Sequence, residues 1–458
     1  MVFSSMTFLT IALPLALAVY FLLPRKLRNA WLLLFSLGFY AWGEPVFLLL
    51  MLANVTLNYA AGLALDRAKA PAARRALLVL ALAVNLGMLF WFKYAGFFTR
   101  GVNAVAGLRL RVPKVALPIG ISFYTFQALS YTIDVYRGEV PAQRNWGKLA
   151  LYISFFPQLI AGPILRYQVV AEQLDNRRET LAGFSRGLRR FALGLSKKVL
   201  IANTVALVAD EAASARALGP GWAWLAAGAY ALQIYYDFSG YSDMAIGLGA
   251  MFGFAYPENF NDPYVSCTVR EFWRRWHISL STWFRDYLYI PLGGSRVGKA
   301  RHVLNLLIVF LVTGLWHGAT LNFLVWGLYY GVLCAAEALL GVRGGKNPAL
   351  RACQHVLTLA LVLIGWVVFR ANTLPGALNY LRAMFTPGEG VLTSLTPRVT
   401  LSLAVGAFGA TGLFRRWTSR LDERRREALG LLAAPALLLL SLLSLASGAY
   451  NPFIYFRF

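Results

Sequence analysis

Long uncharged runs separated by short polar connections set the pattern of this chain. Stretches without Asp, Glu, Lys or Arg cover 1–24, 29–43, 45–65, 76–92, 115–133, 149–165, 221–236, 303–336, 352–369, 399–414 and 428–447. A helix that crosses hydrocarbon needs roughly 20 predominantly apolar residues, with a range of about 17–25. Several runs meet that length directly, and 303–336 is long enough for two passes. The shorter ones read as half-helices or re-entrant pieces. The pattern predicts an all-α polytopic membrane protein with about ten to twelve membrane segments, folded as one integral domain over 1–458. Within it, 1–110 read as peripheral helices, 113–340 as the working core and 350–458 as closing helices.

The longest polar stretch, about 256–302, has its own periodicity. Over 270–289, Phe272/Trp273, Trp276, Leu280, Trp283/Phe284 and Tyr287/Leu288 recur every three to four residues as one apolar stripe. Arg270, Arg274, His277, Ser281 and Arg285 fall at the same spacing on another face. Trp, Tyr and Arg settle at membrane interfaces, so the spacing predicts a single amphipathic helix lying in the boundary.

Composition agrees. The 458 residues are 58% hydrophobic and 14% charged, whereas soluble domains carry about 25% charged residues. The net charge of +24 raises the question of nucleic acid, but the distribution answers it. Segments 67–75, 177–198, 270–301 and 415–426 hold 24 of the 44 Lys and Arg and few acids. All are short connections between apolar runs, where the positive-inside rule places cytoplasmic loops and where anionic headgroups favour cations. No nucleic-acid partner is expected; the partners are membrane lipid and an anionic donor. Residues 1–24 lack a basic start and a small-residue cleavage site, which reads as a retained helix. The Pro/Gly/Thr-rich stretch 371–398 reads as an extracytoplasmic loop.

Three scattered cysteines, Cys267, Cys334 and Cys353, exclude a disulfide framework and read as packing residues. The four histidines, His277, His302, His317 and His355, show no paired ligand spacing, so no metal is expected. Gly293–Ala300 nearly matches a phosphate-binding loop but ends in Ala and follows no βαβ strand. It fails as a nucleotidase motif, although Arg296 and Lys299 could still meet donor phosphates. No GxSxG elbow occurs.

His317 is the strongest candidate for chemistry. A titratable ring inside an uncharged run is a functional-site hypothesis by default. Sixteen residues beyond Arg301, it lies about 24 Å along an unbroken helix. Trp316 could wall a pocket there, and Gly318 could leave room for a ligand. The competing reading is a hydrogen-bonded packing histidine. His277 is open between a solvated and a functional residue. Asp237 and Asp243, at the edge of an apolar run, need partners such as Arg or Tyr hydroxyls; tunnel lining and a buried structural ion pair are equally compatible. Breaks in 117–127 and 157–163 suit helices around a cavity, and transporters share that feature.

Seven segments, LPIGISFYTFQ (117–127), PQLIAGPI (157–164), DFSGYSD (237–243), NFNDPY (259–264), FWRRWHISLSTWFRDYLYIPLGG (272–294), TGLWHG (313–318) and FIYFRF (453–458), together resemble the membrane-bound O-acyltransferase (MBOAT) family. They look closest to its bacterial branch, which includes membrane subunits that O-acetylate alginate and peptidoglycan and, more distantly, the D-alanyl transferase of teichoic acid. The resemblance implies a multi-helix bundle around a tunnel, with His317 at its constriction and His277 as the second functional histidine. It implies acetyl-CoA as donor substrate with no bound cofactor. The implied acceptor is a hydroxyl of an exported polysaccharide or of an extracytoplasmic SGNH-hydrolase-like transferase or relay protein. His317 is then expected as general base and His277 as proton carrier or donor orienter. Trp316, Arg285, Asp237, Tyr241, Asp243 and Asn322 are expected along the tunnel, and Arg274, Arg275, Arg296 and Lys299 towards the donor. The competing classes are a proton-coupled transporter, a structural export subunit and D-alanyl-type transfer from a carrier protein.

Overall fold

The computed structural model describes residues 2–215, 217–345, 347–448 and 451; the FIYFRF motif at 453–458 lies outside them. Among the described residues the chain is helical, and one isolated bridge between Leu218 and Gly390 is its β-structure. Seven helices among the described residues are long and apolar enough to cross a membrane: Pro45–Arg67, Pro71–Ala106, Leu181–Ser214, Lys299–His317, Leu321–Leu339, Pro348–Arg370 and Glu423–Ala446. That is fewer than the ten to twelve expected from apolar runs. The difference lies in runs that bury themselves in protein or form helices too short to cross. Run 115–133 becomes Ile121–Arg137, with almost every side chain buried. Run 149–165 breaks at Phe155 between Trp146–Ser154 and Phe156–Leu159, and run 399–414 yields the 14-residue Pro397–Ala410. Apolar length measures burial, and a protein interior serves as well as lipid.

The chain forms two compact units. The first comprises 1–191 and 244–257. In it α1 (Pro45–Arg67), α2 (Pro71–Leu89) and α3 (Ile121–Arg137) are joined by buried amides. Asn54 Nδ2 donates to Asn85 Oδ1 at 2.7 Å, Asn58 and Asn85 exchange amide bonds at 3.1 Å, and Thr132 Oγ1 donates to Asn58 Oδ1 at 2.8 Å. Such bonds hold helices together where apolar contact alone gives no preference over lipid.

The second unit comprises 192–243 and 258–458 and carries every candidate site residue. It contains α4 (Asn203–Ser214), α5 (Pro220–Met251) as far as Asp243, α6 (Val269–Arg275), α7 (Ile278–Phe284), α8 (Lys299–His317), α9 (Leu321–Leu339) and α10 (Pro348–Arg370). Run 303–336 supplies the two passes α8 and α9. A side chain on Gly314 would collide with the Phe323 carbonyl, and one on Gly327 with the Phe310 carbonyl. Small residues therefore let this helix pair close backbone to backbone. Glu337, near the end of α9, accepts the Val269 N–H at 2.6 Å and the Arg270 N–H at 2.9 Å. With the Thr268 hydroxyl accepting from Glu271 N–H at 3.0 Å, it satisfies the donors that open α6.

The single amphipathic helix expected over 270–289 is not formed. α6 stops at Arg275, His277 takes a left-handed backbone (φ 44°), α7 restarts at Ile278, and Arg285–Tyr289 winds as a π-helix. The break moves His277 off the polar face and into the interior, where it is 2% exposed. Periodicity survives such a one-residue interruption, which is why the sequence conceals it.

Candidate active site

His317 is the last residue of α8, and Gly318 follows in extended backbone. The nineteen residues of α8 span about 28 Å. The imidazole is 7% exposed and boxed by rings. Trp316 lies 5.0 Å away between centroids, Phe369 5.1 Å and Trp326 5.2 Å, all near edge-on, while Phe323 stacks at 6.4 Å. Gly318 does not leave space for a ligand: a side chain there would run into the Phe323 ring. The glycine instead lets that ring close over the helix end.

His277 sits beside this box. Its ring meets Phe238 of α5 edge-on at 4.6 Å and Trp316 at 6.1 Å, so Trp316 touches both histidines. Its Nδ1 lies 3.2 Å from Asn259 Oδ1. The same oxygen accepts the Ser279 N–H at 3.1 Å and the Ser279 hydroxyl at 2.9 Å. Ile278 N–H donates to the Asn259 carbonyl at 2.9 Å, and Asn261 N–H to the Arg275 carbonyl at 3.0 Å, so 259–261 runs alongside the helix break. Asp262, a second left-handed residue (φ 44°), is held by Arg415 at 2.6 Å. Two non-glycine residues in left-handed backbone within one site are the kind of strain that needs a determined surrounding.

Burial, and then the charge His317 would carry, holds the His277 imidazole well below the ordinary histidine range. The unfolded chain therefore binds this proton more readily than the folded one. The stabilising contribution of His277 is complete above about pH 6.5 and is lost as pH falls from there towards the lower folded value. Thermal unfolding of detergent-solubilised protein should accordingly lose more stability between about pH 7 and pH 5 than His277→Gln does. Equal losses in the two proteins would contradict this assignment.

The structure brings together some of the expected residues and disperses others. His317, His277 and Trp316 form one cluster. Asn322 is buried in the first turn of α9 and donates to the Ala371 carbonyl at 2.6 Å, so it ties α9 to the end of α10. Asp237 and Asp243 each pair with a lysine: Lys198 Nζ stands 2.7 Å from Asp237 and Lys197 Nζ 2.6 Å from Asp243. Tyr241 is buried between them on α5. Arg285 does not join the histidines; it is 58% exposed and pairs with Asp286 at 2.7 Å. Arg275 is engaged by Glu271 at 2.8 Å and donates to the Asn261 carbonyl at 3.0 Å, whereas Arg274, Arg296 and Lys299 are exposed. The Gly293–Gly294 turn, with φ of 103° and 58°, is clamped by Asn305 Nδ2 on the Leu292 and Gly294 carbonyls. Cys267 and Cys334 are buried as packing residues, but Cys353 is exposed.

Sequence reasoning missed Phe238, Asn259, Ser279, Trp326 and Phe369, which surround the two rings. Asn259 lay within NFNDPY and Phe238 within DFSGYSD, both already noted as motifs. Trp326 and Phe369 carried no signal among so many apolar neighbours. A cavity of about 820 Å³ is lined by Asp210, Tyr230, Arg370, Asn372, Thr373 and Tyr380 among others. Phe369, packed on His317, immediately precedes Arg370, whose guanidinium is held by Asp210 at 2.6 Å.

Two imidazoles, one indole that packs against both and a box of rings around them form one buried cluster in a membrane-embedded helical protein. Residues 145–367 match the model of the MBOAT, membrane-bound O-acyltransferase, family. The chain is 44% identical to the probable alginate O-acetylase AlgI of Pseudomonas putida over the full length of both proteins. It is 46% identical to that of Pseudomonas aeruginosa, covering 89% of this chain and 79% of the relative. The peptidoglycan O-acetyltransferase of Helicobacter pylori is 34% identical, covering 84% and 80%. The chain belongs to the membrane-bound O-acyltransferase family. It is a polytopic membrane enzyme that transfers acyl groups to oxygen, which sets aside the transporter and the structural subunit.

Proposed function

We propose that this enzyme sits in the bacterial inner membrane and takes an acetyl group from acetyl-CoA at its basic cytoplasmic face. It passes the group to a hydroxyl on the far side, for O-acetylation of an exported polysaccharide. The observation that carries this reading is the buried cluster of His317, His277 and Trp316. His317 acts as general base: it takes the proton of the attacking hydroxyl as that oxygen bonds to the thioester carbonyl carbon. The tetrahedral intermediate then expels the CoA thiolate, and the proton returns to sulfur, with His277 as second carrier. A neutral imidazole is the side chain suited to this at cellular pH. Arg274, Arg296 and Lys299, exposed along the segment that leads into α8, are placed to attract an anionic donor.

The stretch read as extracytoplasmic, 371–398, is too short to fold as a domain of its own, and a polymer outside needs something to grip it. An extracytoplasmic transferase or relay protein of the SGNH-hydrolase kind therefore completes the reaction. The test places purified protein in vesicles with labelled acetyl-CoA on the side of 270–301 and polysaccharide on the other. Thioester turnover is expected, with little polymer labelling until the partner is supplied. Efficient labelling without a second protein would overturn the relay, and absence of turnover with a competent acceptor partner present would overturn the donor. D-alanyl transfer from a carrier protein is the reading that the second result would favour, given 30% identity to the teichoic acid D-alanyltransferase of Bacillus subtilis over 54% of this chain.

A further inference from the structure

We propose that Asn259 is a positioning residue that locks His277 as the Nδ1–H tautomer and leaves Nε2 as the one atom through which this ring can accept a proton. The inference rests on the reading above that the two histidines serve acyl transfer, but its structural part stands independently of the donor and acceptor.

The argument begins with an atom that has no choice. The backbone N–H of Ser279 can only donate, and it points at one side-chain atom of Asn259 at 3.1 Å. That atom must therefore be the amide oxygen, because the alternative rotation of the amide would set an NH₂ group against an N–H. The Ser279 hydroxyl, 2.9 Å away, donates to the same oxygen. An amide oxygen accepts and never donates. His277 Nδ1 lies 3.2 Å from it and 3.4 Å from the Ser279 hydroxyl oxygen; we infer that it carries the hydrogen, since a bare nitrogen would set its lone pair against that of the nearer amide oxygen, to which the Ser279 hydroxyl is already committed. In a neutral imidazole one nitrogen bears the proton and the other does not. With Nδ1 fixed as donor, Nε2 is the bare one. Nε2 is buried and has no hydrogen-bond partner among the described residues.

The scaffold around Asn259 is built to keep that oxygen in place. Its carbonyl accepts from Ile278 N–H, Asn261 N–H reaches the Arg275 carbonyl, and Arg415 Nη2 donates to Asn261 Oδ1 at 2.8 Å. Residues 259–262 are thus stitched to both sides of the helix break, and the left-handed backbone of His277 is what turns its ring towards Asn259. The indole of Trp316 packs against both this ring and that of His317. An outer partner that fixes a histidine tautomer raises the proton affinity of the opposite nitrogen and holds the ring in one orientation. The geometry so divides the labour: Asn259 orients, and His277 offers a single lone pair to the centre.

The test reads the tautomer directly. Protein labelled with ¹⁵N in its histidine rings is compared by two-bond nitrogen–proton correlation with His277→Gln, which identifies the His277 signals. The wild type should show a protonated Nδ1 and a non-protonated Nε2; a protonated Nε2 would overturn the proposal whether or not acetyl-CoA is the donor. Asn259→Ala should mix the two tautomers and lower kcat for acetyl-CoA turnover about 10–100-fold, with KM little changed. A variant whose tautomer and kcat both match the wild type would also overturn it. Asn259→Asp retains an acceptor and should keep the Nδ1–H pattern, recovering most of the lost kcat. If Asn259→Ala does not fold, the aspartate variant decides: its stronger acceptor should shift the Nδ1 proton further downfield, and an unshifted resonance rejects the contact.

Discussion

His317→Ala should abolish acyl transfer while leaving the protein inserted and folded. Loss of a general base costs about 10²–10⁴-fold in rate, and the Asp237 and Asp243 carboxylates are already engaged by Lys198 and Lys197. The ring also packs against Trp316, Trp326 and Phe369, so its removal leaves a gap among aromatics. His317→Gln, closer in volume and able to hydrogen-bond, separates the two effects. Both variants should be inactive in labelled acetyl-CoA turnover, and His317→Gln should unfold within a few degrees of the wild type. More than a tenth of wild-type activity in His317→Gln would remove this residue from the chemistry. His277→Ala should be impaired less severely, since its role is to carry and orient rather than to start the reaction.

Lys198→Ala should be among the most destabilising single changes in the second unit. The ammonium and the Asp237 carboxylate are 2.7 Å apart, at 3% and 2% exposure. Deleting one partner of a buried pair leaves the other charge without compensation, at a cost of about 3–5 kcal/mol. Asp237 directly precedes Phe238, the ring against His277, so activity should fall with stability. Replacing both residues by apolar ones of similar volume, Lys198→Met with Asp237→Leu, removes both charges and should recover most of the loss. Thermal unfolding of the two single variants and the double variant in detergent measures this. A double variant no more stable than the worse single one would show that the charges are needed for more than each other.

The resemblance carried the class of enzyme and the two histidines, because those signals are local. A titratable ring within thirty-four uncharged residues is legible wherever the chain goes, and so is the hydrophobic length that makes α8, α9 and α10 span-sized. The run of RRWHISLS showed a histidine among tryptophans, but its periodicity pointed to one surface helix. A single left-handed residue reversed that reading, and only the packing of 259–262 beside it makes that backbone tolerable.

Taken alone, the sequence determined that this is a helical membrane protein, and it singled out His317 as the strongest candidate for chemistry. Apolar run length and an isolated ionisable group have their physical meaning before any contact forms. Tertiary structure decided which runs turn inward, that two lysines meet Asp237 and Asp243, that Arg285 faces away, and that Gly318 admits Phe323 rather than a ligand. It also brought Asn259 within hydrogen-bonding reach of His277, eighteen positions away. Partners across such distances are chosen by how helices pack, and the hydrophobic pattern that drives packing specifies a face without specifying what lies opposite it.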